Sequence, residues 1–312
     1  MRCLCCYRPL LPGQTDYHPS CAKRMFGTVQ MPELAYNHEQ IRELAKTAIR
    51  TQTTVPGVQA KLSMDIQRIE HTTRFSIVGL QGRFILKPQT EMYAELPEIE
   101  DLTMHLAEQA GILVVPHSLA RFADGKLVYL SKRIDRTPEG EKIPMEDLCQ
   151  LSNQLTEYKY RGSYEQISKV IRSYSSAPML DVVNFWQEVI FCWLTGNSDM
   201  HLKNFSLYAP KGQMRLSPAY DLVNTLVVMP SDKEELALNL NGKKRKLSWR
   251  DFTEAMTVSG VSEKVQKNML GQFFGVRSKW EETIRSSFLS ADMQDRYLSL
   301  LDARFKVITS RL

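Results

Sequence analysis

The 312-residue chain has no unbroken run approaching the ~20 apolar residues that a membrane span requires. Its first residues, MRCLCCYRPLLPGQ, lack an apolar core followed by small residues, so they do not read as a secretory leader. A cytoplasmic protein with no membrane partner is the expectation. No period of about 20–50 residues repeats and no tract is of low complexity, which sets repeat architectures aside. Charge of one sign is scarce too: 40 Lys and Arg stand against 35 Asp and Glu, a net charge of +5. That excess permits contact with nucleic acid without arguing for it. The clearest basic run, GKKRK at Gly242–Lys246, reads as a solvated turn between strands before it reads as a binding patch. What is present is ample apolar material, 43% of residues, enough at this length for a large core and two lobes.

Cysteine is unevenly spread, with four of the six falling in the first 21 residues. Cys3-x-x-Cys6 followed by His18-x-x-Cys21 has the ligand types and knuckle spacing of a small zinc site. Four protein ligands would leave no open position, so such a zinc ion would be structural. Cys5 is a competing thiol, and a set of reduced cytosolic thiols is the plainer reading.

Hydrophobic periodicity organises the rest. HEQIRELAKTAIRT (His38–Thr51) carries a helical stripe, and Pro56-Gly57 marks a turn between extended segments. FSIVGLQGRFILKP reads as strands, the last being Arg83–Lys87. LPEIEDLTMHLAEQAGI (Leu96–Ile112) reads as a helix with Pro97 near its start and Gly111 as its stop. His117–Asp135 reads as a hairpin turned at Asp124-Gly125. From Met145 onward the pattern is mainly helical. Val182–Gly196 is apolar almost all round, a buried helix, and a small hairpin follows, turned at Lys211-Gly212. These elements predict an α+β, protein-kinase-like two-lobed fold: a Cys-rich segment over 1–30, a β-rich N-lobe over 31–140 and a helical C-lobe over 141–312.

The buried helix runs straight into GNSDMHLKNFSLY, residues 196–208, where short acids and amides cluster. Asp199 and Asn204 have the D-x-x-x-x-N spacing of a kinase catalytic loop, in which the Asp receives a hydroxyl proton and the Asn holds Mg²⁺. Asp221 follows past the hairpin, where a second metal-binding carboxylate is expected. Lys87 at the end of RFILK is suited to nucleotide phosphates, with Glu100, or else Glu95, on the next helix to hold it. TTVPGVQAK (Thr53–Lys61) could offer backbone N–H groups to phosphates, although its single glycine departs from G-x-G-x-x-G. Each piece has a bland counterpart: Asp199 and Asn204 as turn residues, Lys87 as a solvated strand end, Asp221 as a cap for the helix in LVNTL. The order of the pieces favours a phosphotransferase.

GNSDMHLKNFSL resembles the GN-x-D-x-H-x-KNFS catalytic loop of the HipA family of bacterial serine/threonine kinase toxins. TVPGVQAKLS, FILKP, SKRIDR and SPAYDL are similar to that family's glycine-containing loop, lysine strand, hinge and metal-binding segment, so the resemblance runs from about residue 50 to the C-terminus. It implies ATP and Mg²⁺ as cofactors, Asp199 as the catalytic residue with Lys203 beside it, and Asn204 and Asp221 as metal ligands. Lys87, Val55, Gly57, Val58, Gln59, Lys61, Glu100, Lys132, Ile134 and His201 would form the nucleotide side, His201 chiefly as a packing and hydrogen-bonding residue of the loop. Lys203 would neutralise the transferred phosphate. Family members silence themselves by phosphorylating a serine in the glycine-containing loop; here Thr54, with Thr53 beside it, occupies that position. The resemblance further implies an aminoacyl-tRNA synthetase as substrate, a helix-turn-helix antitoxin, and DNA reached only through that antitoxin. A roughly hundred-residue N-terminal subdomain of the full-length family is replaced by the Cys-rich segment, as in the short HipT-like form, so a small subdomain-like partner is expected. Two rivals stand beside this reading: a small-molecule phosphotransferase sharing D-x-x-x-x-N, and a catalytically silent antitoxin or DNA-associated binding module.

Overall fold

Alternation of apolar residues along the N-terminal strands decides how they pair and which face they bury. The computed structural model describes residues 1–50, 61–69 and 72–310, and they form two units. The first takes Met1–Asp101, Val115–Lys142 and Ser286–Phe288; the second takes Leu102–Val114, Ile143–Arg285 and Leu289–Leu312.

In the first unit, helices α1 (Pro19–Phe26) and α2 (His38–Arg50) precede strands β1 (Leu62–Ile69), β2 (Thr72–Ile77) and β3 (Phe84–Pro88). Helix α3 (Leu96–Gln109) begins in this unit and continues into the second. Strands β4 (His117–Arg121) and β5 (Leu127–Lys132) then form the hairpin expected at Asp124-Gly125. The sheet runs β2-β1-β3-β5-β4, antiparallel throughout. Leu62 faces Leu86, Met64 faces Phe84, and Leu86 faces Leu130, so one face is a continuous apolar layer. Cys3, Leu4, Tyr17, Ala22, Met25 and Phe26 pack against that layer, so the N-terminal segment shares the core of the sheet. Phe26, Phe75 and Phe84 meet edge-on or tilted, with centroids 5.3–6.3 Å apart. The period of two turns Lys87 and its register partner Tyr129 to the opposite face.

In the second unit, β6 (Met145–Asp147) leads into α4 (Leu148–Leu151), α5 (Tyr164–Tyr174) and α6 (Pro178–Leu194). The hairpin β7 (Ser206–Tyr208) and β8 (Arg215–Leu216) is followed by α7 (Thr225–Val228), α8 (Trp249–Val258), α9 (Glu263–Arg285) and α10 (Ala291–Thr309). The helical reading from Met145 missed β6, which pairs with β7 to make a three-stranded sheet β6-β7-β8. Three residues carry too little periodicity to reveal a strand, and the last of them, Asp147, opens α4 with a capping box. The basic run is a turn, with Asn241 and Gly242 at φ 48° and 74°, but an isolated bridge rather than strands flanks it. Lys243 donates to Asp251 at 2.6 Å and Lys244 to Glu234 at 3.3 Å.

Helix α6 is the axis of this unit, buried from Phe185 to Leu194. Trp186, Trp193, Phe185 and Phe191 lie on it, and Trp280 of α9 packs on Phe191 at 5.7 Å while donating its indole N–H to the Leu106 carbonyl. Asp181 near its start accepts from Arg215 and from the Leu216 amide, which fastens β8 to the helix. Glu188 stands among these apolar neighbours beside a cavity of about 90 Å³ lined by Gly111, Asn184 and Ser217. Burial alone pushes its carboxyl up to about 8. A carboxyl that titrates near 4.5 when unfolded and near 8 when folded destabilises the fold increasingly as pH rises through that window. Glu188→Gln is therefore expected to be neutral near pH 4 and stabilising by about 3–4 kcal/mol at pH 7–8. Denaturant melts across pH check this; a difference that does not grow with pH would contradict it.

Candidate active site

Two groups of polar residues gather the side chains singled out in the sequence, one in each unit. In the first, Lys87 and Glu100 form an ion pair, with only 4% and 0% of their surfaces exposed. Lys87 is thus no solvated strand end. Its ammonium also lies 5.4 Å from the centroid of the Tyr129 ring. Glu100, one of the two acids left open, pairs with Lys87, and Glu95 stands just before α3 with φ 53°. Beyond Glu100 on the same helix, Asp101 is bonded to His117 Nδ1 at 2.7 Å and to the Tyr7 hydroxyl at 2.8 Å. In the hinge segment, Arg133 and Arg136 converge on Asp135, while Ile134 between them is half-buried. Lys132 donates to the Arg24 carbonyl at 3.2 Å, and burial pushes its ammonium pKa down, with Arg83 adding to the shift. Lys61 is half-buried at the foot of β1. Thr53, Thr54, Val55, Gly57, Val58 and Gln59 lie outside the described residues.

In the second unit, α6 stops where Gly196 adopts φ 71°, and the chain turns through Asn197–Asn204 into β7. Side chains of the loop fix its backbone. The Asn197 amide oxygen accepts from the Asp199 N–H at 3.1 Å, and Asn204 Nδ2 reaches the Asp199 carbonyl at 3.3 Å. Thr225 accepts from the Ser198 N–H at 2.8 Å and donates to the Gly196 carbonyl at 3.1 Å. The Tyr164 hydroxyl donates to the Met200 carbonyl. Asp199 and Asn204 therefore do more than close a turn: the acid is left to accept from Tyr160, whose hydroxyl lies 2.6 Å from Oδ1. The Tyr160 pKa is raised by burial first and by Asp199 second, so the hydroxyl keeps its proton for this bond.

His201 lies under the same tyrosine, ring centroids 4.9 Å apart and edge-on. Burial pushes its imidazole pKa down and Lys159 adds to this, while Asp199 and Asp221 pull the other way. Lys203 pairs with Asp147 at 2.7 Å. Tyr220 ties the returning strand to the loop, through Ser206 Oγ at 2.6 Å and the Lys203 carbonyl at 3.1 Å, and so sets the place of Asp221 next to it. Asp221 has φ 62°, a left-handed conformation that costs a non-glycine residue of order 1–3 kcal/mol and persists only where surroundings enforce it. It is not the cap of the following helix; Asn224 caps α7, accepting from the Val227 N–H at 3.0 Å. Asn204 and Asp221 offer a carbonyl and a carboxylate oxygen, hard donors that suit Mg²⁺.

Tyr160 and Asp147 were absent from the sequence reading. Neither sits in a motif; their partners lie 39 and 56 residues away.

The profile of the HipA-like C-terminal domain family matches residues 53–280. The chain belongs to this family. A presumed kinase of Haemophilus influenzae is 28% identical over 286 residues, covering 83% of this chain and 82% of that one. The serine/threonine-protein kinase toxin HipA of Shewanella oneidensis is 28% identical over 189 residues, covering 55% and 43%. Among solved structures, HipA in the toxin–antitoxin complex of Shewanella oneidensis MR-1 with HipB and operator DNA superposes with TM-score 0.70 at 19% identity, over 96% of this chain and 80% of that one. The Helicobacter pylori proinflammatory kinase CtkA superposes with TM-score 0.52 at 14% identity, over 76% and 91%. The fold of the HipA-family chain is accordingly α+β and kinase-like. Among the described residues no helix is long and apolar enough to cross a membrane.

Gly196 is the hinge of the loop. A Cβ there would stand 2.8 Å from Asn224 Oδ1 and 3.0 Å from Leu300, in a backbone conformation that disfavours side chains. Gly196→Ala is expected to destabilise the HipA-family chain by about 1–3 kcal/mol. Urea unfolding measures it; an unchanged midpoint would show that the loop tolerates the methyl group.

Proposed function

We propose that this HipA-family chain is a Mg·ATP-dependent serine/threonine protein kinase acting as the toxin of a toxin–antitoxin pair. The observation that carries the reading is a loop whose backbone is fixed by its own side chains around Asp199 and Asn204, tied by Tyr220 to the left-handed Asp221, with His201 feeling both Asp199 and Asp221. Such over-determined geometry suits a site that must hold charge without reorganising.

In this reading Asn204 and Asp221 would hold the metal, which when bound would supply positive charge to neutralise the transferred group. Asp199 accepts the proton of a serine or threonine hydroxyl as that oxygen attacks the γ-phosphorus and ADP leaves. Tyr160 holds Oδ1 of Asp199 at 2.6 Å and so orients the carboxylate, leaving Oδ2 for the incoming hydroxyl. Lys203, balanced by Asp147, neutralises the transferred phosphate. Lys87, set by Glu100, neutralises nucleotide phosphates. Phosphorylation at Thr54 or Thr53 would add close to two negative charges to a loop meant for phosphates and switch the enzyme off. The substrate is an aminoacyl-tRNA synthetase, and an antitoxin that binds DNA is the partner, as HipB is in the complex of the related HipA.

Incubation of the purified chain with Mg²⁺ and γ-labelled ATP, with and without cell extract, tests this. Label should enter protein, and Asp199→Asn should lower incorporation about 10²–10⁴-fold, the usual worth of a general base. Tyr160→Phe should reduce kcat about threefold to tenfold with KM for ATP unchanged, because it affects the acid's orientation alone. Label appearing in a small molecule instead of protein would replace the protein-kinase reading with a metabolite kinase.

A further inference from the structure

The phosphotransfer reading leaves the Cys3, Cys6, His18 and Cys21 group without a role, although the fold closes it tightly. One ligand atom from each lies within 4.8 Å of all the others. Cys3 and Cys6 flank a turn in which the Tyr7 N–H donates to the Cys3 carbonyl at 3.0 Å, and Tyr7 itself has φ 60°. His18 is the N-cap of α1, and Cys21 lies in that helix's first turn. The Nδ1 atom of His18 is 3.4 Å from Cys6 Sγ and 3.9 Å from Cys21 Sγ. A tetrahedral zinc ion with Zn–S of about 2.3 Å and Zn–N of about 2.0–2.1 Å needs an N···S edge of about 3.6 Å.

The surroundings are tuned to the same end. His18 Nε2 lies 2.9 Å from the Pro9 carbonyl, so the proton sits on Nε2 and the Nδ1 lone pair faces the thiols, the arrangement by which an outer partner orients a metal-binding histidine. The His18 N–H points at Cys3 Sγ from 3.5 Å. Cys5, the competing thiol, is turned away to Arg24 Nη2 at 3.4 Å.

We infer that Cys3, Cys6, His18 and Cys21 bind one Zn²⁺ in a closed structural site, and that this clasp sets the register of α3 through Tyr7. Three thiol protons leave to solvent as the three Zn–S bonds form, with no change of oxidation state. Tyr7 follows Cys6 directly, is 6% exposed, and donates to Asp101, the neighbour of Glu100. Asp101 also holds His117, whose ring stacks on Tyr129 at 6.2 Å, and Tyr129 lies beneath the Lys87 ammonium. The metal thus reaches Lys87 by two routes inside one unit, through Glu100 and through His117 and Tyr129. The consequence for nucleotide binding rests on the kinase reading above.

Metal analysis of the full chain purified without chelator should give about one zinc per chain. Cys6→Ser and His18→Ala should lose it and Cys5→Ser keep it, while Co²⁺ in its place should show the visible absorption of a tetrahedral thiolate site. Tyr7→Phe should retain zinc in full, yet amide hydrogen exchange over Leu96–Asp101 should rise about tenfold with the rest of the chain unchanged. The same variant should bind Mg·ATP about threefold to tenfold more weakly. A parent chain without zinc, or zinc held equally by Cys6→Ser, would overturn the site. Unchanged exchange at the start of α3 in Tyr7→Phe, or exchange raised everywhere, would overturn the coupling. A parent chain that binds zinc but no Mg·ATP would remove the kinase reading and the route to Lys87, and leave the metal site supported.

Discussion

The buried pair of Lys87 and Glu100 is the constraint to which the first unit answers. An ammonium and a carboxylate withdrawn from water lose several kcal/mol of hydration each, and only a close partner offsets that. Lys87 must therefore leave the apolar face of the sheet, which the alternation of Phe84, Leu86 and Pro88 in β3 arranges. Glu100 must point at it from α3, so the rotation of that helix about its axis is fixed as well. Asp101, one position on, is then committed to His117 and Tyr7. Removing either ion would strand the other charge, and this is why the strand, the helix and the N-terminal segment hold together as one arrangement rather than as separate pieces.

The second unit is organised by a different constraint, the long buried stretch of α6 from Phe185 to Leu194. Its last turn ends in tryptophan and leucine, and its final carbonyls need partners that the apolar surroundings do not supply. Thr195 and Gly196 close the helix, and the polar residues that follow bond largely to one another's backbone. A loop so fixed can hold a carboxylate and an amide in a set geometry at little further entropic cost, and the left-handed Asp221 is kept in place by the Tyr220 bonds beside it. The strain is stored where the proposed chemistry needs it.

The sequence made much of this visible. The D-x-x-x-x-N pair, the lysine at a strand end and the acid one helix later are short-range patterns, and the strands and helices around them carry clear periods. The spacing of Cys3, Cys6, His18 and Cys21 similarly announces a cluster that the fold closes. What stayed hidden is of another kind. Tyr160 and Asp147 contribute through single side chains that meet their partners across 39 and 56 residues, and nothing local marks them. The strand β6 was too short to have a period, and Asn224 rather than Asp221 proved to cap the next helix.

The sequence by itself determined which segments are helix or strand, which faces are apolar, and which residue types stand at the spacings that phosphate and metal chemistry require, because these depend on neighbours three, four or five positions away. Only the tertiary structure decided that Glu100 holds Lys87, that Tyr160 takes one oxygen of Asp199, and that Tyr7 joins the cysteine cluster to α3. Each of these is a choice among several chemically equivalent groups. Such choices are made by the packing of whole elements against one another, which brings the chosen group to within 3 Å.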